Sequence, residues 1–173
     1  RRTRRASDVR IAAGPGKDPS GIRLAFTGAS QTFGVGVEVD SHRFVDRIHR
    51  DIVASFGGRG RVDTLNFSIP GTRSTVLVEK YEDQWIKAKP DILVINLSFN
   101  DSCSEELSAS LRRYLRLNEA ASIRTLFVTE PSAPATAWQH RSVEAKRDVM
   151  RDIAAESGLP LVDRKSVVEG KGV

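Results

Sequence analysis

The sequence predicts an α/β fold in three layers, a parallel sheet with helices on both faces, and three observations lead there. Short apolar runs alternate in strict order with stretches of helical period. The clearest run, "DILVINL" at Asp91–Leu97, is apolar nearly throughout, as a strand covered on both faces must be. The helical stretches between runs supply the crossover connections that parallel neighbours need. A length of 173 residues suits one domain with a full hydrophobic core.

The elements follow in order. Ile22–Thr27 is the first strand. Phe44, Val45, Ile48, Ile52, Val53 and Phe56 then repeat at helical spacing, with Asp40 or Ser41 as the N-cap and Gly57 and Gly58 as the stop. Arg61–Phe67 is a second, weaker strand. After the Pro70-Gly71 turn, Leu77, Tyr81 and Trp85 mark one face of a helix that Pro90 closes. Asp91–Leu97 is the third strand, and Ser102 with Glu105 resembles a capping box opening a helix through Leu107, Leu111, Tyr114 and Leu115. Arg124–Glu130 gives a fourth strand, and Val143, Val149, Met150 and Ile153 a fourth helix that ends on Gly158 as its cap. "LPLVD" (Leu159–Asp163) is a short fifth strand, after which the pattern stops. There is no internal repeat.

Charge and composition narrow the function. The formal net charge is +5, but residues 1–10 hold +4 and residues 164–173 hold +2, which leaves −1 on residues 11–163. The basicity belongs to the ends and forms no patch on the fold, so a nucleic-acid partner loses its main support. No apolar run reaches the length of a membrane span. Cys103, the single cysteine, excludes an intrachain disulfide framework and reads as a partly buried bystander. Residues 1–20, with "GPGKDPSG", read as a basic, flexible linker from something upstream, 21–163 as the folded domain and 164–173 as an irregular tail.

In a parallel sheet of this kind ligands bind beyond the carboxyl ends of the strands. The loops after Thr27, Phe67, Leu97, Thr129 and Asp163 therefore share one functional edge. The first carries Gly28-Ala29-Ser30 and then Thr32, Gly34 and Gly36; the second Asn66-Phe67-Ser68-Ile69-Pro70-Gly71; the third Ser98-Phe99-Asn100-Asp101. A serine between strand and helix is displayed on a tight turn, where nearby amides can stabilise an oxyanion. An asparagine side chain on the same edge can donate to a developing alkoxide. Each residue also has a plainer reading: Ser30 as part of a bare turn, Asn66 as a turn cap, Asn100 and Asp101 as a helix start. The spacing of Gly34 and Gly36 does not fit a dinucleotide loop, and "GGRGR" at Gly57–Arg61 fits a helix stop better than an RNA contact.

Taken together, the three loops resemble the blocks of the SGNH (GDSL-type) hydrolase superfamily, most closely the branch of alginate-type O-acetyltransferases and their esterase relatives. Gly28-Ala29-Ser30 stands where the family has Gly-Asp-Ser; Asn66, Ser68 and Gly71 align with Asn-x-Gly-x-x-Gly; Ser98, Asn100 and Asp101 align with Gly-x-Asn-Asp. The resemblance runs from about Ile22 to Asp163 with the blocks in order. It implies a flavodoxin-like five-stranded parallel sheet of order 2-1-3-4-5, and a serine ester hydrolase, or an acyltransferase on carbohydrate hydroxyls, that uses neither metal nor other cofactor. It further implies Ser30 as nucleophile, with the amides of Ser30 and Ser68 and the side chain of Asn100 as the oxyanion hole. The implied partner is a carbohydrate or small-molecule acyl ester. Relatives of this kind often work in the cell envelope, though nothing in these residues shows export.

The sequence departs from the family pattern at four places. Ala29 replaces the aspartate of the first block, at a cost expected in turn stability or positioning. Ser68 and Ser98 replace glycines, and a strained backbone angle is expected at Ser68. The family's base is a histidine three residues after an aspartate, beyond the fifth strand, and no Asp-x-x-His follows Asp163. The expectation is therefore a fragment without its last catalytic loop, nearly inactive by itself, whose parent is the enzyme; the rival reading is a catalytically inactive binding module of the same fold. Asp46-Arg47-Ile48-His49 has the right spelling but sits on the first helix, so His42 and His49 read as boundary residues. His140 follows the fourth strand and reads as a substrate-loop or helix-start residue, with surrogate base as the alternative. Trp138 lies in the same loop, placed to contact an acyl or sugar group.

Overall fold

The computed structural model describes residues 10–11, 21–56, 61–130 and 137–164. Six strands form one sheet in the order β1-β3-β2-β4-β5-β6, where β1 is Arg10–Ile11, β2 Ile22–Gly28, β3 Val62–Asn66, β4 Ile92–Asn96, β5 Arg124–Val128 and β6 Leu161–Val162. The last five are parallel and keep the expected order, second-first-third-fourth-fifth. The addition is β1, which pairs antiparallel with β3 from within the segment read as linker. The helices are α1 (Ser30–Phe33), α2 (Phe44–Ser55), α3 (Ser74–Ala88), α4 (Ser104–Ala120) and α5 (Ala137–Ser157), with a 3-10 turn at Asp40–His42.

Strand periodicity explains the layers. Ala25, Leu93, Ile95 and Phe127 point to one face, where they pack with Leu77, Trp85, Leu111, Tyr114 and Met150 of α3, α4 and α5. Leu24, Phe26, Val94 and Val128 point to the other, where α2 brings Val45, Phe44 and Ile48. The sheet is thus covered by three helices on one side and α2 on the other. β4 is buried on both faces, which accounts for its unbroken apolar run.

Two end signals shift, and the first is the start of α2, which is preceded by Arg43 while the expected caps Asp40 and Ser41 lie in the 3-10 turn. The capping box expected at Ser102 and Glu105 moves by one residue: α4 begins at Ser104 after Cys103, so Glu106 occupies the third helical position and accepts the Ser102 N–H at 2.8 Å. Gly158 does close α5 in the left-handed region, at φ +62°. The stop expected at Gly57 and Gly58 lies outside the described residues. Among the described residues no helix is long and apolar enough to cross a membrane.

The larger core carries a satisfied polar chain. Trp85 stacks on Tyr114 with ring centroids 5.1 Å apart and donates Nε1–H to Asn118 Oδ1 at 3.1 Å. The Asn118 Nδ2 amide in turn donates to Thr125 Oγ1 at 2.9 Å, tying α3 and α4 to the start of β5. Replacing Trp85 by Phe keeps most of the apolar volume but strips Asn118 Oδ1 of its donor. Trp85→Phe should lower stability by at least about 1–3 kcal/mol, read as a lower urea midpoint at unchanged slope.

Candidate active site

The three loops leave adjacent strands at one edge and are stitched to each other by the backbone. Register pairs Gly28 with Asn96, and the chain beyond β3 continues along β2 through Phe67 N–H to Phe26 O (2.8 Å) and Ile69 N–H to Gly28 O (3.1 Å). Ser68 therefore sits beside the turn that carries Ser30. Asn100 joins the second loop from the other side, donating Nδ2–H to Thr72 O at 3.3 Å.

Ser30 is half-buried at the first position of α1, a single turn closed by Gly34 N–H and Val35 N–H on Ser30 O. The turn is tight because Gly28 leaves no room: a Cβ there would stand 2.2 Å from Thr32 Oγ1 and 2.7 Å from the Asn96 carbonyl oxygen. Thr32 Oγ1 uses that space to donate to Asn96 Oδ1 at 2.9 Å, and the Thr32 carbonyl accepts Asn66 Nδ2–H at 3.1 Å. Asn96 Nδ2 donates onward to Val128 O at 2.9 Å. Ala29 is buried and leaves α1 without a side-chain cap.

The glycine replacements behave differently from each other. Ser68 is not among the described residues with positive φ, so the strain expected there is absent. Its backbone N–H donates to Asn66 Oδ1 at 3.1 Å, an Asx-type turn, and its buried hydroxyl has no partner among the described residues. Ser98 is buried too, but its hydroxyl donates to Glu130 Oε2 at 2.9 Å.

Asp101 acts as a helix-start residue for a helix other than the one its position suggested. Its Oδ1 accepts both the Ser74 backbone N–H (2.9 Å) and the Ser74 hydroxyl (2.5 Å), capping α3 across the edge rather than α4. Burial raises the Asp101 carboxyl above the usual carboxylate range, opposed by the two Ser74 bonds and helped by nearby Glu106, with Lys146 opposing. Glu130 is raised in the same direction, chiefly by burial, against hydrogen bonds from Phe99 and Ser98.

The histidines are apart from this edge or undecided by it. His49 shares a hydrogen bond with Thr64 Oγ1 at 2.8 Å on the α2–β3 flank, which confirms it as a boundary residue. His42 is exposed on the 3-10 turn. His140 and Trp138 fall on the first turn of α5, and their side chains lie outside the described ones. Cys103 is exposed rather than partly buried.

Sequence reasoning named Thr32 only as part of the first block and missed Asn96, Glu130, Lys146 and Arg147. Lys146 and Arg147 are buried, and their positions between Val143 and Met150 repeat the apolar period of α5, which was the available signal. Asn66 and Asn96 end the two strands that flank β2, a repeated polar full stop at the ends of otherwise apolar runs.

Comparison with known proteins agrees with this fold. The model of the GDSL-like Lipase/Acylhydrolase family matches residues 26–172. Among solved structures, Axe2, an acetylxylan esterase from Geobacillus stearothermophilus, superposes with a TM-score of 0.72 at 20% identity, covering 85% of this chain and 78% of that one. LAE5, an alpha/beta hydrolase enzyme from the metagenome of Lake Arreo, Spain, gives 0.69 at 21% identity with the same coverages. Two further forms of Axe2 are described as catalytic mutants, one with a serine and one with an aspartate changed to alanine. No curated protein sequence matches the chain.

The raised Asp101 carboxyl sets a sign for pH. Its folded form holds the proton more tightly than the unfolded chain does, so its contribution to stability is full below the ordinary aspartate range and is lost as pH rises through the folded value. Asp101→Asn keeps the Oδ1 acceptor for Ser74 and removes this slope. Thermal melts from about pH 4 to 8 should therefore show the variant gaining on the wild type as pH rises. A difference independent of pH would contradict the raised carboxyl.

Proposed function

The chain belongs to the GDSL-like lipase/acylhydrolase family, and from that premise we propose that it acts on acyl esters with Ser30 as its nucleophile. The ester carbonyl would lie over the turn at the end of β2, and attack by Ser30 Oγ would place negative charge on the carbonyl oxygen. The Asn100 Nδ2 amide and the amides of Ser30 and Ser68 are the donors proposed to receive that charge. The observation that carries this reading is the stitched edge itself, where Ile69 N–H on Gly28 O and Asn100 Nδ2–H on Thr72 O join the loops of Ser30, Ser68 and Asn100.

Two details refine the chemistry. The Ser68 N–H is held by Asn66 Oδ1, so as an oxyanion donor it works through a shared bond or after Asn66 turns aside. Asn100 holds Thr72 O at the long end of the hydrogen-bond range, a contact that a developing oxyanion would outbid. A base must take the Ser30 proton, and of the chain's three histidines His140 alone follows β5 onto this edge.

For the substrate we propose a small acyl ester, and an acetyl ester on a carbohydrate in particular, supported by the likeness to an acetylxylan esterase. Transfer of the acyl group to a sugar hydroxyl, as in the O-acetyltransferase branch, is the same chemistry with a different acceptor. A non-catalytic binding module is the second reading, favoured by the engaged Ser68 N–H.

A fluorophosphonate probe decides between them on the protein made from its full reading frame. Ser30 is expected to be labelled, and Ser30→Ala to lose both labelling and hydrolysis of p-nitrophenyl acetate. Asn100→Ala should lower kcat by about 100–1000-fold with little change in KM. Unlabelled Ser30 together with an untouched ester would establish the binding module. Loss of labelling in His140→Ala would identify that residue as the base.

A further inference from the structure

Two charged side chains are buried beside the Asn100 loop, and both make bonds to that loop. Glu130, 1% exposed just past β5, accepts through one oxygen the Ser98 hydroxyl at 2.9 Å and the Phe99 backbone N–H at 2.5 Å. Lys146, 4% exposed on α5, donates to the Asp101 carbonyl at 2.5 Å and the Phe99 carbonyl at 3.4 Å. Arg147, fully buried, anchors the same corner by donating Nε–H to the Glu130 carbonyl at 2.7 Å.

Burying a carboxylate and an ammonium is costly unless their hydrogen bonds are well made. Here those bonds form only when residues 98–101 adopt this path, so the cost is repaid by one loop geometry and by few others. Ser98, Phe99 and Asp101 are each tied by a charged or capping partner, whereas Asn100 between them makes, among the described residues, one long contact to Thr72. The residues around Asn100 are thus held by more bonds than its own amide is.

We propose that Glu130 and Lys146 are positioning residues that hold the Ser98–Asp101 loop from opposite sides and so fix where the Asn100 amide stands relative to Ser30. This rests on the reading of Asn100 as an oxyanion donor. It also gives Ser98 a purpose: its hydroxyl replaces a family glycine with a handle for Glu130.

The test is a double-mutant cycle on the full-reading-frame protein with p-nitrophenyl acetate. Glu130→Ala and Lys146→Met should each lower kcat by about 10–100-fold with KM nearly unchanged, while Glu130→Gln, which keeps an acceptor, recovers most of the loss. In the Asn100→Ala background the same changes should cost almost nothing more, because their effect runs through Asn100. Equal losses with and without Asn100 would overturn the clamp while leaving the oxyanion reading intact. An Asn100→Ala protein as fast as wild type would instead sink the oxyanion reading and the clamp with it. If Glu130→Ala does not fold, Lys146→Met decides the cycle. The Asn100 side-chain amide resonances of the 15N-labelled protein give a readout independent of turnover. They should shift or broaden in Lys146→Met and stay in place in the surface control Arg112→Ala; resonances unmoved by Lys146→Met overturn the proposal.

Discussion

The absence of a side chain at Gly28 is the constraint on which the functional edge depends. Because nothing projects there, Thr32 Oγ1 reaches Asn96 Oδ1, while the Thr32 carbonyl receives Asn66. Asn96 passes the connection to the Val128 carbonyl. A single run of short polar side chains thus ties the carboxyl ends of β3, β2, β4 and β5 together inside a region from which water is excluded. Each member is satisfied by the next, the condition under which buried polar groups add specificity without a desolvation loss. The turn that presents Ser30 sits in the middle of this knot, held by β3 on one side and by β4, and through it β5, on the other.

The outer half of the edge is built on different terms. Around the knot the groups are neutral amides and hydroxyls; farther along, toward α5, they are ions. Arg151 pairs with Asp163 at 2.8 Å and with Glu144 at 3.2 Å, and Glu144 also meets Arg147 at 3.0 Å. Thr129 links this group to the chain leaving β6, donating to Asp163 Oδ1 and accepting the Arg164 N–H. The face of α5 turned to the sheet edge therefore organises the loop after β4 and the exits from β5 and β6. Neutral groups hold the strand ends, and charged groups hold the segments that follow them.

The fold was legible because its signals are local and repeated. Alternation of apolar runs with helical periods needs no knowledge of tertiary contacts, and the unbroken run at Asp91–Leu97 reports burial on both faces directly. The strand order was accessible only through the resemblance of the three loop blocks, since periodicity does not say which parallel strand lies beside which. β1 was hidden: two residues in an arginine-rich segment carry no strand period, and only pairing with β3 defines them. Ser30, Ser68 and Asn100 were proposed for the site from block spacing, and the structure brings their three loops to one edge. Glu130 and Lys146 were not, because a charge within an apolar period reads as a boundary residue until a partner 30 to 50 positions away is seen. The misplaced capping box has the same origin: Ser102 and Glu105 fit a local pattern, but α4 starts where the loop tied to Glu130 and Lys146 releases the chain.

The unequal cover of the two sheet faces gives the molecule two kinds of evolutionary freedom. On the face of Ala25, Leu93, Ile95 and Phe127, any change in side-chain volume is transmitted to three helices at once, including the one that braces the edge. On the face of Leu24, Phe26 and Val94 the same change is taken up largely by α2, whose first turn lies beside α1. Volume changes on the α2 side should therefore reach fewer elements, and least of all where α2 runs away from α1. The heavier side acts as the molecule's memory, and the lighter side as the surface on which it can experiment.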